Sequence, residues 1–307
     1  MNNFLIDCTV VITTFFSGDK LEKCIKNIDS KFKILIVDNG CEEKNKLYFE
    51  NKFKNLEYLI PGENLGVPNS YNYALSKVKT RFMFNTQPDV EVKKNCIEKL
   101  MIAAGKYPNA AILTPVIYHY GKYFGGGDFG VAKFINNKLL DYKEKKNEIY
   151  NAIPSGDLCV DTVTGTAMLI DTIKMKKIGG WDKIIFNYYE DIDICLRFRM
   201  NSYEILKINE AEVDHIPFSS HMNEIENDLD YSRNWHYAWS KIYFYRKHNR
   251  KLYANIHAIK QLILSFIKVI IYFFITKKRN THTAKFLGTF CSLFYIKSYY
   301  RPKIIKK

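Results

Sequence analysis

Glu190, Asp191 and Asp193 crowd three carboxylates into about one helical turn of chain, behind Tyr188 and Tyr189 and ahead of an apolar, arginine-bearing run. A carboxylate at a loop–helix junction with aromatic neighbours is suited to act as a general base. The same residues read equally as helix punctuation. From Asp191 onward Ile192, Cys195, Leu196 and Phe198 recur at helical spacing, so a helix is expected to start there. Acids in its first turn suit the positive end of the helix dipole, and Asp191 or Asn187 would serve as its cap. Upstream, Gly179-Gly180-Trp181-Asp182 predicts a turn that brings the acids to a loop end, which favours chemistry over capping alone.

The elements that must position such a site alternate. Thr9–Phe15, Lys33–Asp38, Leu56–Ile60 and Arg81–Thr86 read as strands. Helices are expected from Ser17, over Glu43–Phe53 and over Gly66–Val78. This alternation predicts an α/β fold, a mostly parallel sheet with helices on both faces. Ligands of open α/β sheets bind at the carboxyl ends of strands, which marks Thr13, Asp38, Asn39 and Gln87–Asp89. Farther on, Val90–Lys106 reads as a helix and Ala110–Tyr118 as a strand. Gly125–Gly127 suggests a hairpin or loop and lacks a phosphate-binding glycine pattern. Residues 134–150 read as an exposed excursion, and Asp161–Ile170 as a strand in which Gly165 permits close backbone approach. His215 follows a short strand, Ala211–Asp214.

Gly179-Gly180-Trp181-Asp182 followed by Tyr188-Tyr189-Glu190-Asp191-Ile192-Asp193-Ile194-Cys195-Leu196-Arg197 resembles the "GGFDE…YYEDVDLCLR" signature of family 2 glycosyltransferases, above all their bacterial rhamnosyltransferase-like group. The resemblance implies a GT-A fold, a nucleotide-diphosphate sugar donor, a divalent metal (Mg²⁺ or Mn²⁺) and inversion at the anomeric carbon. It implies that Asp191 is the base for the acceptor hydroxyl, with Glu190 beside it and Asp193 orienting the loop, paired with Arg197. Thr13 and Thr14 match the family's "TY/TF" element, Asp38 and Asn39 its "VDN/VDD" element, and Asn64, Gly66 and Asn72 its "NxG…N" element, all of the nucleotide pocket. Gln87-Pro88-Asp89 is similar to the segment written "NPDV", which makes Asp89 the leading metal ligand. Hard cations take oxygen ligands, few of them from protein when phosphates supply the rest. Gln87 stands where the family has Asp or Asn, and Pro88-Asp89 would equally turn the chain out of a strand. Val213-Asp214-His215 with Ser219-Ser220 is similar to the "vxHxxgxS" element, which places His215 near the metal or diphosphate. Gln87, Gly165 and Glu190 complete the expected nucleotide-sugar site. The resemblance covers about residues 8–250 in order.

Composition sets the bounds. Of 307 residues, 47% are hydrophobic and 15% aromatic, enough for a folded core and too much for a disordered chain. Seven scattered cysteines without a CxxC pair indicate neither a zinc site nor a disulfide framework, and most, in apolar runs, read as buried thiols in a reducing compartment. Asp7 interrupts the first apolar residues and Met1-Asn2-Asn3 carries no base, so no signal peptide is expected and the catalytic part reads as cytoplasmic. The net charge of +14 is lopsided: residues 231–307 carry 17 Lys or Arg and no Asp or Glu. The front is slightly acidic, and the tail calls for an anionic partner.

Domains are therefore expected at 1–230, the GT-A nucleotide-sugar unit, and 231–307, a helical membrane-associating region. In the tail a helix is expected around Arg233–Trp239. Leu252–Thr276 is the most apolar stretch, but Lys260 and Lys268 interrupt it, so an interfacial amphipathic helix is expected rather than a span. Phe286–Tyr300 reads as a second such segment. A helical pair packed on the enzyme or on a second copy, a homo-oligomer, is the competing reading. The expected reaction moves a sugar, rhamnose by the group's name, from a dTDP- or UDP-sugar to a hydroxyl of a bacterial surface glycan or polyprenyl-linked oligosaccharide. It would take place peripherally on the inner face of the cell membrane. A nucleotidyltransferase would carry a basic Gly-rich loop where Thr13-Thr14-Phe15-Phe16-Ser17-Gly18 stands, and a nucleic-acid partner fits neither the apolar tail nor the acidic front. Gln87 keeps a non-catalytic sugar-nucleotide binder as the alternative.

Overall fold

The computed structural model describes residues 2–124, 130–144, 155–216, 226–248 and 250–302. Its elements, in chain order, are α1 (Asn2–Leu5), β1 (Cys8–Thr14), α2 (Asp19–Lys26), β2 (Lys33–Asp38), α3 (Glu43–Lys52), β3 (Leu56–Leu59), α4 (Gly66–Lys77), β4 (Phe82–Thr86), β5 (Val90–Val92), α5 (Cys96–Lys106) and β6 (Ala110–His119). Then follow β7 (Lys122–Tyr123), β8 (Gly130–Ile135), β9 (Lys138–Glu144), β10 (Leu158–Cys159), β11 (Met168–Asp171), α6 (Thr172–Lys177), α7 (Glu190–Met200), β12 (Glu204–His215), α8 (Glu226–Lys247), α9 (Lys251–Ile271) and α10 (Thr276–Leu293).

The chain forms two compact units. Met1–Asn64, Ser70–Trp181 and Asp191–His221 make the first; Leu65–Asn69, Asp182–Glu190 and Met222–Lys307 make the second. A single cut at residue 230 leaves two of these short segments with the front part, whereas the fold groups them with the C-terminal helices.

The first unit is an α/β structure around one sheet, ordered β10-β12-β6-β11-β4-β1-β2-β3. β3, β2, β1 and β4 run parallel, as do β6 and β12, while β11 enters antiparallel to both β4 and β6. The inner strands are continuous apolar runs because both of their faces are covered. On one face Val10, Ile12, Ile34, Ile36 and Phe84 pack with Leu21 and Ile25 of α2, Phe49 of α3 and Leu100 and Met101 of α5. β12 slips register between Ile208 and Glu212, and beyond that irregularity His215 lies opposite both Val90 and His119.

Three expectations change. Val90–Lys106 is not one helix: Val90 and Val92 bury alternate side chains in β5, and Asn95, with φ 58°, breaks the chain before α5. Two β-branched residues flanking an exposed Glu91 suit a strand edge better than a helix. Asp161–Ile170 is a strand only from Met168, and the preceding residues form a loop. The excursion at 134–150 includes the β8–β9 hairpin as far as Glu144. Gly125–Gly127, Ser219 and Ser220 lie outside the described residues.

In the second unit α8 and α10 approach closely. A Cβ on Gly288 would stand 2.2 Å from the Trp235 carbonyl oxygen, so only glycine allows this crossing. Trp235 and Trp239 are buried with Ala284 and Cys291, and the Trp239 indole donates to the Ile296 carbonyl at 2.9 Å. The helix expected at Arg233–Trp239 is the middle of α8, and Leu252–Thr276 is replaced by α9, which ends at Ile271. Phe286–Tyr300 is no helix of its own: it holds the last turns of α10 and an irregular segment. By length and composition α9 is sufficient to cross a membrane, with both lysines inside it.

Candidate active site

Asp191 sits in the first turn of α7, and its carboxylate is held by two backbone donors. The Gly165 N–H donates to Oδ2 at 2.9 Å and the Ile192 N–H to Oδ1 at 2.8 Å. Burial pushes this carboxyl above the usual carboxylate range, against the pull of those two N–H groups. A positioned, partly desolvated carboxylate of raised proton affinity has the properties of a general base. Gly165 serves through its N–H: an added Cβ would meet Asp191 Cβ at 3.6 Å, an ordinary contact, so close approach is not what this position requires. Asp193 is fully buried and accepts from Arg197 Nε at 2.8 Å. Arg197 also donates to the carbonyls of Ile178 and Gly180 at 3.0 and 2.7 Å, tying α7 to the turn before it. Asn72 clamps the same turn, accepting from the Trp181 N–H at 2.9 Å and donating to the Trp181 carbonyl at 3.0 Å. Its amide thereby holds the scaffold of the acidic segment.

Thr13 and Thr14 end β1 beside Val37 and Asp38 of β2. Thr14 Oγ1 donates to Ser17 Oγ at 2.7 Å, and the Asn39 N–H donates to the Thr14 carbonyl at 2.9 Å, so the two strand ends are stitched together. Asp38 is buried; its Oδ1 accepts from the Gly40 N–H at 2.8 Å and its Oδ2 from the Glu42 N–H at 2.9 Å. Burial raises this carboxyl too, and the backbone donors oppose the shift. The Tyr58 side chain and the Cys41 backbone also favour its charged form. Asn39 Oδ1 accepts from Ser70 Oγ at 3.0 Å. Asn64 is half-buried in the loop after β3.

Past the end of β4, Gln87 turns the chain through its carbonyl, which accepts from the Val90 N–H at 3.1 Å. Asp89 is buried, yet its Oδ1 has no hydrogen-bond partner among the described residues. Its Oδ2 lies 3.7 Å from His215 Nε2. Behind His215 stands a residue that sequence reading passed over. His119, the last residue of β6, places Nε2 at 3.4 Å from His215 Nδ1 and stacks on Phe124 with ring centroids 3.7 Å apart. Burial, then the neighbouring His215, lower its pKa to about 4. The two rings meet through His119 Nε2 and His215 Nδ1, which leaves the other nitrogen of His215, Nε2, turned toward Asp89. The only sequence signal was a lone histidine in an apolar strand; the β12 irregularity brings the two together. Asn85, also read as part of an apolar strand, is fully buried on β4 and its amide has no partner among the described residues.

Asp89 and His215 fit a divalent cation. An unfilled buried carboxylate oxygen facing an imidazole nitrogen is a partial ligand set of the kind that leaves room for phosphates and water. Among the described residues no three His, Cys, Asp or Glu side chains converge into a full cage.

Gly66 and Glu190 belong to the second unit. Gly66 has φ +73°, and a Cβ there would stand 2.3 Å from the Phe186 carbonyl oxygen. The residues entering α7 are strained: Tyr188 and Tyr189 take φ 66° and 68°, rare for bulky side chains. Tyr189 is braced by Phe244 and Tyr237, with ring centroids at 5.1 and 5.6 Å.

Residues 9–156 match the family model described as Glycosyl transferase family 2. Over 235 residues the chain is 23% identical to the N-acetylglucosaminyl-diphospho-decaprenol L-rhamnosyltransferase of Mycobacterium tuberculosis, covering 67% of this chain and 75% of that protein. It is 24% identical over 215 residues to the rhamnosyltransferase WbbL of Escherichia coli, 62% of this chain and 76% of that one. Among solved structures, the mannosyltransferase PcManGT from Pyrobaculum calidifontis in complex with GDP-Man and Mn²⁺ superposes with a TM-score of 0.53 at 11% identity, over 94% of this chain and 87% of that one. GalNAc-T7 with UDP, GalNAc and Mn²⁺ gives 0.53 at 15% identity over 78% of this chain, which spans 54% of that protein. At such identities the likeness is one of fold.

Proposed function

We propose that this chain is a family 2 glycosyltransferase of the rhamnosyltransferase-like group, the family that its model match and two of its relatives point to, and that it moves a sugar from a dTDP- or UDP-sugar to a hydroxyl of a lipid-linked glycan, with inversion. The observation that carries the mechanism is the Asp191 carboxylate, half-buried, raised in proton affinity and fixed by the Gly165 and Ile192 N–H groups. Asp191 takes the acceptor proton as the acceptor oxygen attacks the anomeric carbon. The bond from that carbon to the diphosphate breaks on the opposite side, and the nucleoside diphosphate leaves with the electron pair.

Asp89 and His215 would hold a divalent ion, which when bound neutralises charge on the leaving diphosphate. Asp38 and Asn39, with Thr13 and Thr14, offer acceptors and donors for the nucleoside at the strand ends. Asn72 and Arg197 keep the turn ahead of Asp191 in place, so the base is presented in one geometry. The names of two relatives suggest rhamnose as the sugar, and that of the Mycobacterium tuberculosis enzyme suggests a polyprenyl-diphosphate-linked N-acetylglucosamine as acceptor. We place the protein on the cytoplasmic face of the cell membrane, with residues 231–307 as the membrane-associating region.

A thermal-shift series tests the donor. A true donor raises the unfolding temperature by mass action, more so with Mn²⁺. A dTDP- or UDP-sugar is expected to do so, and GDP-mannose is not. Stabilisation by no nucleotide sugar, with or without Mn²⁺, would contradict the reading.

A further inference from the structure

Helix α9 is built inside out. Its buried residues are small: Ala254, Ala258 and Ser265. Its large aliphatic residues, Leu252, Ile256, Ile259, Ile263, Ile267 and Ile270, follow one another at three- and four-residue steps and so form one stripe. All six are exposed, from 45% for Ile267 to 75% for Leu252. A surface helix in water turns its large apolar residues inward. Small residues in the helix–helix seam, with large apolar ones facing away, are the arrangement of helices surrounded by lipid. The apolar surface continues into the turn after α9, where Phe274 is 93% exposed.

We propose that α9 and the turn after it lie in the plane of an anionic membrane, the Leu252–Ile270 stripe against acyl chains and the neighbouring cations among lipid phosphates. This rests on the membrane placement above and names the surface that makes the contact. Charge selects the partner. Residues 231–307 hold 17 bases and no acid, so an anionic leaflet is attracted, whereas a second copy of the chain would set like charge against like. Packing selects the orientation. α10 runs against α9, with Phe286 and Phe266 ring centroids 6.2 Å apart, and α10 opens with Thr276-Lys277-Lys278-Arg279-Asn280-Thr281. A spanning α9 would draw that polar helix into hydrocarbon; an in-plane α9 leaves it in water. Lys260, on the apolar side, reaches the headgroups by its four-carbon stem. Where the two helices meet, burial and then Lys268 hold the Lys285 ammonium below its usual pKa, and the same causes with Lys285 depress His282. A lipid phosphate beside this cluster would relieve the repulsion.

The test uses the full chain with phosphatidylcholine vesicles, with and without phosphatidylglycerol. The wild type is expected to sediment with the anionic vesicles and to stay partly bound at about 1 M salt, because apolar insertion is not screened. The double variant Ile263→Asp/Ile270→Asp changes only exposed positions. It is expected to keep the wild-type unfolding midpoint and to lose at least about tenfold of the salt-resistant binding. In Ile263→Trp, lipids brominated near the glycerol end of the chains should quench the new fluorescence more than lipids brominated near the methyl end. If the double variant binds as the wild type does, the stripe is not the contact, though the membrane placement stands. Stronger quenching from the methyl end would make α9 a span and overturn the in-plane arrangement. A wild type that ignores anionic vesicles at low salt would defeat both. If it is instead a dimer that the double variant dissociates, the stripe joins copies of the chain.

Discussion

Asp38 and Asp89 are both buried carboxylates at the ends of strands that flank β1, and they are treated in opposite ways. Each oxygen of Asp38 accepts a backbone N–H, at 2.8 and 2.9 Å. Asp89 has one oxygen with no hydrogen-bond partner among the described residues and the other 3.7 Å from His215. A filled carboxylate stabilises the loop around it. An unfilled one costs stability and calls for a reason to be there. Asp38 is therefore built into its loop, while Asp89 keeps an oxygen unfilled among the described residues, the place where we propose that a cation binds.

Substitution should separate the two. Asp89→Ala is expected to abolish the effect of Mn²⁺ on donor affinity, a loss of about tenfold to a hundredfold, with the unfolding midpoint unchanged or raised. Calorimetric titration of donor with and without Mn²⁺ reads the first part, and unchanged metal dependence would move the metal elsewhere. Asp38→Ala strands two N–H groups and should cost about 1–3 kcal/mol in denaturant unfolding. An Asp38→Ala protein as stable as the wild type would erase the contrast.

A pair of glycines draws the same distinction between scaffold and site. Gly66→Ala forces a side chain into a left-handed backbone and against the Phe186 carbonyl, and should destabilise by at least about 1–2 kcal/mol. His119→Ala leaves Asp89 and His215, the proposed ligands, in place and should weaken Mn²⁺ binding about tenfold, read by the paramagnetic resonance of free Mn²⁺, with His119→Gln restoring part of it. Gly165→Ala retains the N–H that holds Asp191 and should change stability by less than about 0.5 kcal/mol and leave turnover near normal.

Much of this was legible because it is local. The inner strands declare themselves by unbroken apolar runs, and Asp38, Asn39 and Gln87–Asp89 were marked simply by standing at strand ends. The pairing of Asp193 with Arg197 follows from their spacing on one helix. The misses are tertiary. β5 exists because Val90 and Val92 find β12, more than a hundred residues away, which overrides a helical reading of the window. His119 carries no motif; a register irregularity in another strand makes it a neighbour of His215. For α9 the sequence showed an apolar helix with lysines, but which side is buried depends on α8 and α10. The small residues Ala254, Ala258 and Ser265 are the ones inside.

The most direct measurement is the pH dependence of transfer by the wild type and by Asp191→Asn, at saturating donor, with a polyprenyl-diphosphate-linked N-acetylglucosamine as acceptor. The base acts deprotonated, and burial raises its pKa, so the acid limb of the wild-type profile should lie above the usual carboxylate range. Asp191→Asn should bind donor as the wild type does, turn over at least about a hundredfold more slowly and lose that limb. Near-normal transfer by Asp191→Asn, or the same acid limb in both proteins, would contradict Asp191 as the base.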